Sequence, residues 1–216
     1  MKNLILAVLS FCSSGFSNSV EDAFTRIYRN GEWGKNEEGE GTSGTGSTVN
    51  LAGPYLHFLN KFLSEHPEIL RVIDLGCGDW VLGREIFWGE RDYIGIDVVK
   101  FLVEKNQSRY GSERKKFIHL DATKKILPEG DLLICKDVLQ HLPFSSVQFI
   151  LSQMKKFRYC IFVNDVTEDL FEKNYDIKPG GYRTLNLTLK PFYLKPIKKL
   201  IYKSGVEKKQ ILVIEN

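Results

Sequence analysis

From residue 71 onward the chain alternates between short apolar runs and segments whose apolar residues recur at helical spacing. The runs at 71–75, 93–97, 116–120, 131–136 and 159–164 are apolar nearly throughout, the pattern of strands buried on both faces of a parallel sheet. The segments between them, 81–88, 99–108 and 144–157, predict helices. Ahead of the first strand, 20–28 and 51–64 also predict helices, the second with Leu56, Leu59, Phe62 and Leu63 at helical spacing. The tail predicts a further helix over 195–202 and a last strand over 210–214. This alternation defines an α/β domain with a doubly wound, mostly parallel sheet and helices on both faces. No internal repeat and no second domain interrupts it.

In such a sheet, ligands bind beyond the carboxyl ends of the strands. The first strand runs into the nonapeptide VIDLGCGDW at 72–80, where Gly76 and Gly78 permit a tight turn and Asp74 stands just ahead of it. Amide hydrogens of such a turn face whatever is bound there, which makes a nucleotide-sized pocket. Asp97 ends the second strand and Asp121 follows the third. Lys136, Asp137 and His141 follow the fourth, and Asn164 and Asp165 end the fifth. A dinucleotide fingerprint would place a third glycine where Val81 stands. An acidic residue before the turn also suits a ligand carrying positive charge better than a diphosphate. Asp97 is placed to accept from paired ribose hydroxyls, and Asp121 with Ala122 to meet an adenine.

Composition narrows the class without choosing the chemistry. At 216 residues, 43% of them hydrophobic and 26% charged, the chain has the make-up of a globular domain and excludes a disordered or coiled-coil chain. The net charge of +3 is mild, and the lysine pairs at 115/116, 124/125, 155/156, 198/199 and 208/209 are scattered, so no nucleic-acid footprint stands out. Lys2, the apolar stretch 4–12 and the small polar exit 13–19 read as an export signal covering 1–19, with 20–216 as the folded domain. Cleavage after Ser17 or Ser19 satisfies its small-residue rule, and the apolar stretch is too short to span a bilayer. The alternative is an amphipathic start to a cytoplasmic protein. Cys77, Cys135 and Cys160, an odd set in apolar strand contexts, read as buried hydrophobes and favour that alternative. No cysteine or histidine spacing suggests a metal site. The glycine-rich stretch 30–49 reads as a mobile surface loop by composition and as a lid by length.

The segments VIDLGCGD (72–79), YIGIDVV (93–99), FIHLDAT (117–123) and DLLICKDVLQHL (131–142) together resemble the class I, Rossmann-like S-adenosylmethionine-dependent methyltransferases. FTRIYRNGEWG…SGTGST (24–48) and GGYRTLNLTLKPF (180–192) resemble a less-characterised bacterial branch of them. The resemblance implies an S-adenosylmethionine-dependent enzyme in which Asp74, Gly76, Gly78 and Asp79 cradle the methionine part. It implies Asp97 and Val98 on the ribose, Asp121 and Ala122 on the adenine, and Asp137 beside the cofactor. Trp80 departs from the family pattern, where a small residue is common, and reads either as a pocket wall or as packing under the next helix.

Methyl transfer needs a nucleophile held in line with the breaking carbon–sulfur bond. Asp137 and His141, four residues apart, are the candidate catalytic pair: Asp137 to position, His141 as base. A helix cap and a satisfied polar contact are their structural alternatives. Tyr182 and Arg183, behind two glycines, are the candidate substrate wall, or a loop pinned by an arginine–carboxylate pair. The acceptor is small or medium-sized, either a free small molecule or a protein. Competing readings are a cofactor- or partner-binding protein without turnover, and an aminopropyl transferase with a more acidic amine pocket. Of the other histidines, His57 and His66 read as surface or packing residues and His119 as core. Asn106 and Asn186 each begin an N-x-Ser/Thr triplet.

Overall fold

The computed structural model describes residues 19–167, 169 and 173–216. The export signal expected over 1–19 lies outside them, except for Ser19, whose side chain caps the first helix by accepting from Asp22 N at 3.1 Å. Seven strands form one sheet: β1 (Arg71–Leu75), β2 (Asp92–Asp97), β3 (Lys115–His119), β4 (Leu132–Lys136), β5 (Tyr159–Val166), β6 (Lys198–Ser204) and β7 (Glu207–Glu215). Their order is β3-β2-β1-β4-β5-β7-β6. Neighbours among β1 to β5 are parallel, whereas β7 runs antiparallel to both β5 and β6. The order reverses between β1 and β4, so their carboxyl ends flank the crevice where ligands collect.

Alternate strand residues supply two separate cores. Ile73, Leu75, Leu133, Cys135, Cys160 and Phe162 pack with α1 (Val20–Asn30) and α4 (Phe144–Leu151). Val72, Leu132, Ile134, Ile161 and Val163 pack with α2 (Gly53–Glu65) on the opposite face. The helix α3 (Lys100–Tyr110) gives Leu102 to the first core and Val103 to the second. Among the described residues, no helix is long and apolar enough to cross a membrane.

Three expectations need correction. Segment 81–88 is not a helix and holds one tight turn, Gly83–Glu85. Gly83 lies so close under the Trp80 indole that a Cβ there would stand 2.0 Å from its Nε1, and Trp88 Nε1 donates to Gly83 O at 2.8 Å. An aromatic cluster therefore replaces a helical face. Segment 195–202 is mostly strand β6, because Gly205 in the left-handed region (φ 66°) folds it back on β7 as a hairpin. A short run of mixed lysine and β-branched residues carries no period that decides between the two. His119, expected in the core, is exposed and bonds Val98 O at 3.0 Å. Both N-x-Ser/Thr asparagines, Asn106 and Asn186, are buried.

Candidate active site

The turn after β1 is fixed from several sides. Gly76 N and Cys77 N donate to Ile96 O at 2.8 and 3.1 Å, tying the turn to β2. Gly76 (φ 76°) and Gly78 (φ 53°) occupy the left-handed region that L side chains avoid. Asp97 accepts from Gly78 N and from Val99 N, each at 2.9 Å. Asn106 Nδ2 donates to Gly78 O at 2.8 Å. Burial pushes the Asp97 carboxyl up, against these amide hydrogen bonds.

Above the turn opens a cleft of about 680 Å³. Asp97 and Val98 line it from β2, Asp121 and Ala122 from the end of β3, and Asp137, Val138 and Leu142 from beyond β4. Phe24, Tyr28 and Trp33 line it from α1 and the following loop. Asp121 Oδ1 accepts from Thr123 N at 3.0 Å, which holds its carboxylate at the cleft edge. A second pocket of about 490 Å³ shares Gly76, Ser43, Ser47 and Lys136 with the cleft and adds Asp74, Asp79 and Tyr55. Asp74 accepts from Tyr93 Oη at 2.6 Å, and burial pushes its carboxyl up to about 6. Asp74 is thus at the second pocket, not in the main cleft.

The glycine-rich stretch, a mobile loop by composition, is bound over this site. Ser43 donates from N and Oγ to Asp79 at 3.0 and 2.8 Å, and its Oγ also meets Tyr28 Oη at 2.8 Å. Lys136 Nζ donates to Gly46 O at 3.1 Å. Asp79 therefore anchors the covering loop, and it too lies outside the main cleft.

A third pocket, about 810 Å³, shares Trp33, Ser43 and Asp137 with the cleft. Its other walls include Gln140, His141, Asp165, Tyr182, Glu207 and Lys209. Beneath it lies a buried charge cluster. Lys209 Nζ bonds Asp137 Oδ1 at 2.9 Å and Asp165 Oδ1 at 2.5 Å, while Lys136 holds the other oxygen of Asp137. Gln140 Nε2 and Tyr182 Oη donate to Asp165 Oδ2 at 3.0 and 3.2 Å. Burial would push the Asp137 carboxyl up, but Lys136 and Lys209 outweigh it and hold it below the usual range. Asp137 itself has φ 57°, a left-handed conformation that aspartate tolerates better than most residues. Neither Lys209 nor Glu207 was a candidate from the sequence.

His141 stands 4.8 Å from the Trp33 ring and 5.8 Å from the Tyr182 ring, and its Nδ1 lies 2.8 Å from Gly181 O. That carbonyl can only accept, so Nδ1 carries the hydrogen and Nε2 the lone pair. Burial lowers the His141 pKa and keeps the ring neutral. Arg183 requires correction as a substrate residue. It is fully buried, donates to Leu142 O at 2.8 Å and lies over the Phe144 ring at 5.1 Å. It holds the turn that carries His141, while its neighbour Tyr182 faces the pocket. Trp80 is buried against Tyr93, Tyr110 and Phe117, and its role is packing.

No family model and no curated protein matches the chain. Solved structures do. An N-methyltransferase, NodS, from Bradyrhizobium japonicum, in complex with S-adenosyl-L-homocysteine, superimposes with TM-score 0.64 at 13% identity, over 88% of this chain and 98% of its own. The 1,6-didemethyltoxoflavin-N1-methyltransferase of Burkholderia thailandensis, with its substrate and S-adenosylhomocysteine bound, gives 0.63 at 13% identity, over 91% and 87%. The magnesium protoporphyrin IX methyltransferase of Synechocystis gives 0.57 at 18% identity, over 89% and 92%. At such identities the likeness establishes the architecture: the chain has the Rossmann-like fold of class I methyltransferases.

Proposed function

We propose that the protein is an S-adenosylmethionine-dependent methyltransferase acting on an acceptor held in the third pocket. One observation carries the reading: a cleft and a second pocket meet over Gly76, while Gly78 beside it lies under Ser43 and Tyr28, and the cleft opens across Asp137, Trp33 and Ser43 onto the third pocket. The residues fit the donor. The apolar cleft with Asp97 and Asp121 at its edges suits an adenosine, Asp97 accepting from ribose hydroxyls and Asp121 from the adenine amino group. The second pocket suits the amino-acid end, with Asp74 facing its ammonium. A Cβ at Gly76 would stand 2.2 Å from Val138 Cγ2, so bare backbone is required where the donor lies. When bound, the donor supplies an electrophilic methyl group on a sulfonium. The chain's own work is to orient the acceptor with Asp137, Tyr182 and Gln140, exclude water beneath the 41–48 loop, and take a proton on His141 Nε2.

Calorimetry with S-adenosylmethionine and S-adenosylhomocysteine tests the reading, and binding of neither would end it. Asp97→Ala is expected to weaken binding by about 1–3 kcal/mol, because hydrogen bonds to a charged acceptor are lost. Unchanged affinity would move the ribose elsewhere.

Asp74 gives a pH-dependent test. Its folded pKa of about 6 exceeds the ordinary 3.8, so its contribution is fully present below pH 3.8 and is lost as pH rises through 6. Asp74→Asn should therefore stabilise the donor-free protein by about 3 kcal/mol at pH 8 and by well under ~1 kcal/mol at pH 4. The same change should weaken S-adenosylmethionine binding, since the ammonium loses its carboxylate. Urea midpoints at the two pH values that move together would show that Asp74 titrates as an ordinary carboxyl.

A further inference from the structure

We infer that the third pocket is built for an amine, and that the group methylated is the nitrogen of a primary or secondary amine. The inference rests on the methyl-transfer reading and names its acceptor class. Three carboxylates line the pocket, Asp137, Asp165 and Glu207, against one ammonium, Lys209. That ammonium is already paired: it bonds Asp137 at 2.9 Å and Asp165 at 2.5 Å and stands 3.7 Å from Glu207, with its side chain 2% exposed. Of the other nearby cations, Lys136 is spent on Asp137 Oδ2 and Gly46 O, and Arg183 is turned into the core. An anionic acceptor, carboxylate or phosphate, finds no free cation among the described residues here. A cationic one finds Glu207 at the rim, its side chain 38% exposed, and the carboxylate of Asp137, shared between Lys136 and Lys209, at the boundary with the donor cleft.

Two further observations point the same way. Trp33, His141 and Tyr182 set three rings along the pocket, faces that attract an ammonium or stack on the flat body that carries it. His141 is more than nine-tenths buried, lines the pocket, and has no partner for Nε2 among the described residues. An amine arriving protonated needs a base at that place. The step balances: the ammonium gives one proton to His141 Nε2, and the freed nitrogen lone pair forms the bond to the methyl carbon. The carbon–sulfur bond breaks with its electron pair going to sulfur, leaving S-adenosylhomocysteine and a methylated ammonium. Asp137 faces that positive charge throughout, while Lys136 and Lys209 keep it ionised.

The test is calorimetry of the full chain saturated with S-adenosylhomocysteine. The probes are 2-phenylethylamine, tryptamine and spermidine, with 3-phenylpropionate and indole-3-propionate as charge-reversed matches of the first two. Amines should bind about tenfold tighter than matched carboxylates, the size expected of a partly desolvated cation on aromatic faces and carboxylates. Glu207→Gln should reduce that preference up to about fivefold, as for an exposed ion pair, and leave S-adenosylhomocysteine affinity unchanged. Carboxylates binding as tightly as amines, or no amine binding the loaded protein, overturns the inference. If S-adenosylhomocysteine itself does not bind, the donor reading fails. The amine-to-carboxylate ratio on the free protein then decides the pocket's charge preference separately.

Discussion

Replacing Lys209 by methionine is expected to lower the unfolding free energy by about 3–5 kcal/mol at pH 7, the cost of removing one partner from a buried ionic cluster. The ammonium lies with its side chain 2% exposed between Asp137 and Asp165. Methionine fills similar space, so little of the loss comes from packing. What remains is two carboxylates facing each other with Lys136 alone to offset them. Burial would push the Lys209 pKa down, yet the two carboxylates outweigh it and raise it above 10.5. A raised pKa gives a contribution fully present below pH 10.5, while the depressed Asp137 pKa gives one present above pH 3.8. The cluster is therefore at full strength across neutral pH. In the variant, protonation of the stranded carboxylates relieves their repulsion, so the deficit should shrink between pH 7 and pH 4. Asp165→Asn in the Lys209→Met background should recover about 1 kcal/mol or more at pH 7. Urea denaturation reads both changes, and a small deficit independent of pH would mean that the cluster is not ionised. Turnover should fall further than stability explains, because Asp137 loses the contact that fixes it at the mouth of the donor cleft.

The cluster also shows where sequence reading stops. Strands β1 to β5 were legible within two residues, because buried parallel strands are uniformly apolar and end in a turn or an acid. The strand-end acids Asp74, Asp97, Asp121 and Asp137 were legible for the same reason. Lys209 was not, since it belongs to one of several lysine pairs that look alike along the chain. Only the pairing of β7 with β5, which sets Lys209 opposite Asp165, carries it to Asp137, 72 residues away in sequence. Tyr182 and Arg183 show a finer limit. Neighbouring residues in extended chain point to opposite sides, and nothing local says which of them meets the pocket. The tyrosine does, and the arginine grips the turn behind it. Ser43 was hidden in a low-complexity stretch whose composition suggests mobility, although Asp79 and Tyr28 fix its hydroxyl.

Gly76→Ala is expected to destabilise the protein by about 2–5 kcal/mol, from two separable costs. The left-handed conformation at φ 76° costs a residue with a Cβ about 1–2 kcal/mol. The remainder, about 1–3 kcal/mol, is overpacking, because the new methyl would stand 2.2 Å from Val138 Cγ2. Valine is stiff about its first side-chain torsion, so the collision is relieved mainly by moving the turn or the Val138 backbone. Val138 also lines the main cleft, so either movement reshapes the floor of the site proposed for the adenosine. S-adenosylhomocysteine affinity should therefore fall together with stability. Val138→Ala separates the two costs: added to Gly76→Ala it removes the collision and leaves about 1–2 kcal/mol of backbone strain. The double variant should accordingly be more stable than Gly76→Ala alone, although Val138→Ala by itself removes packing and destabilises. A Gly76→Ala protein within about 0.5 kcal/mol of the parent, the range of ordinary surface changes, would show that neither the torsion nor the contact holds in solution. Rescue of stability without rescue of affinity would place the requirement for bare backbone in the donor itself rather than in Val138.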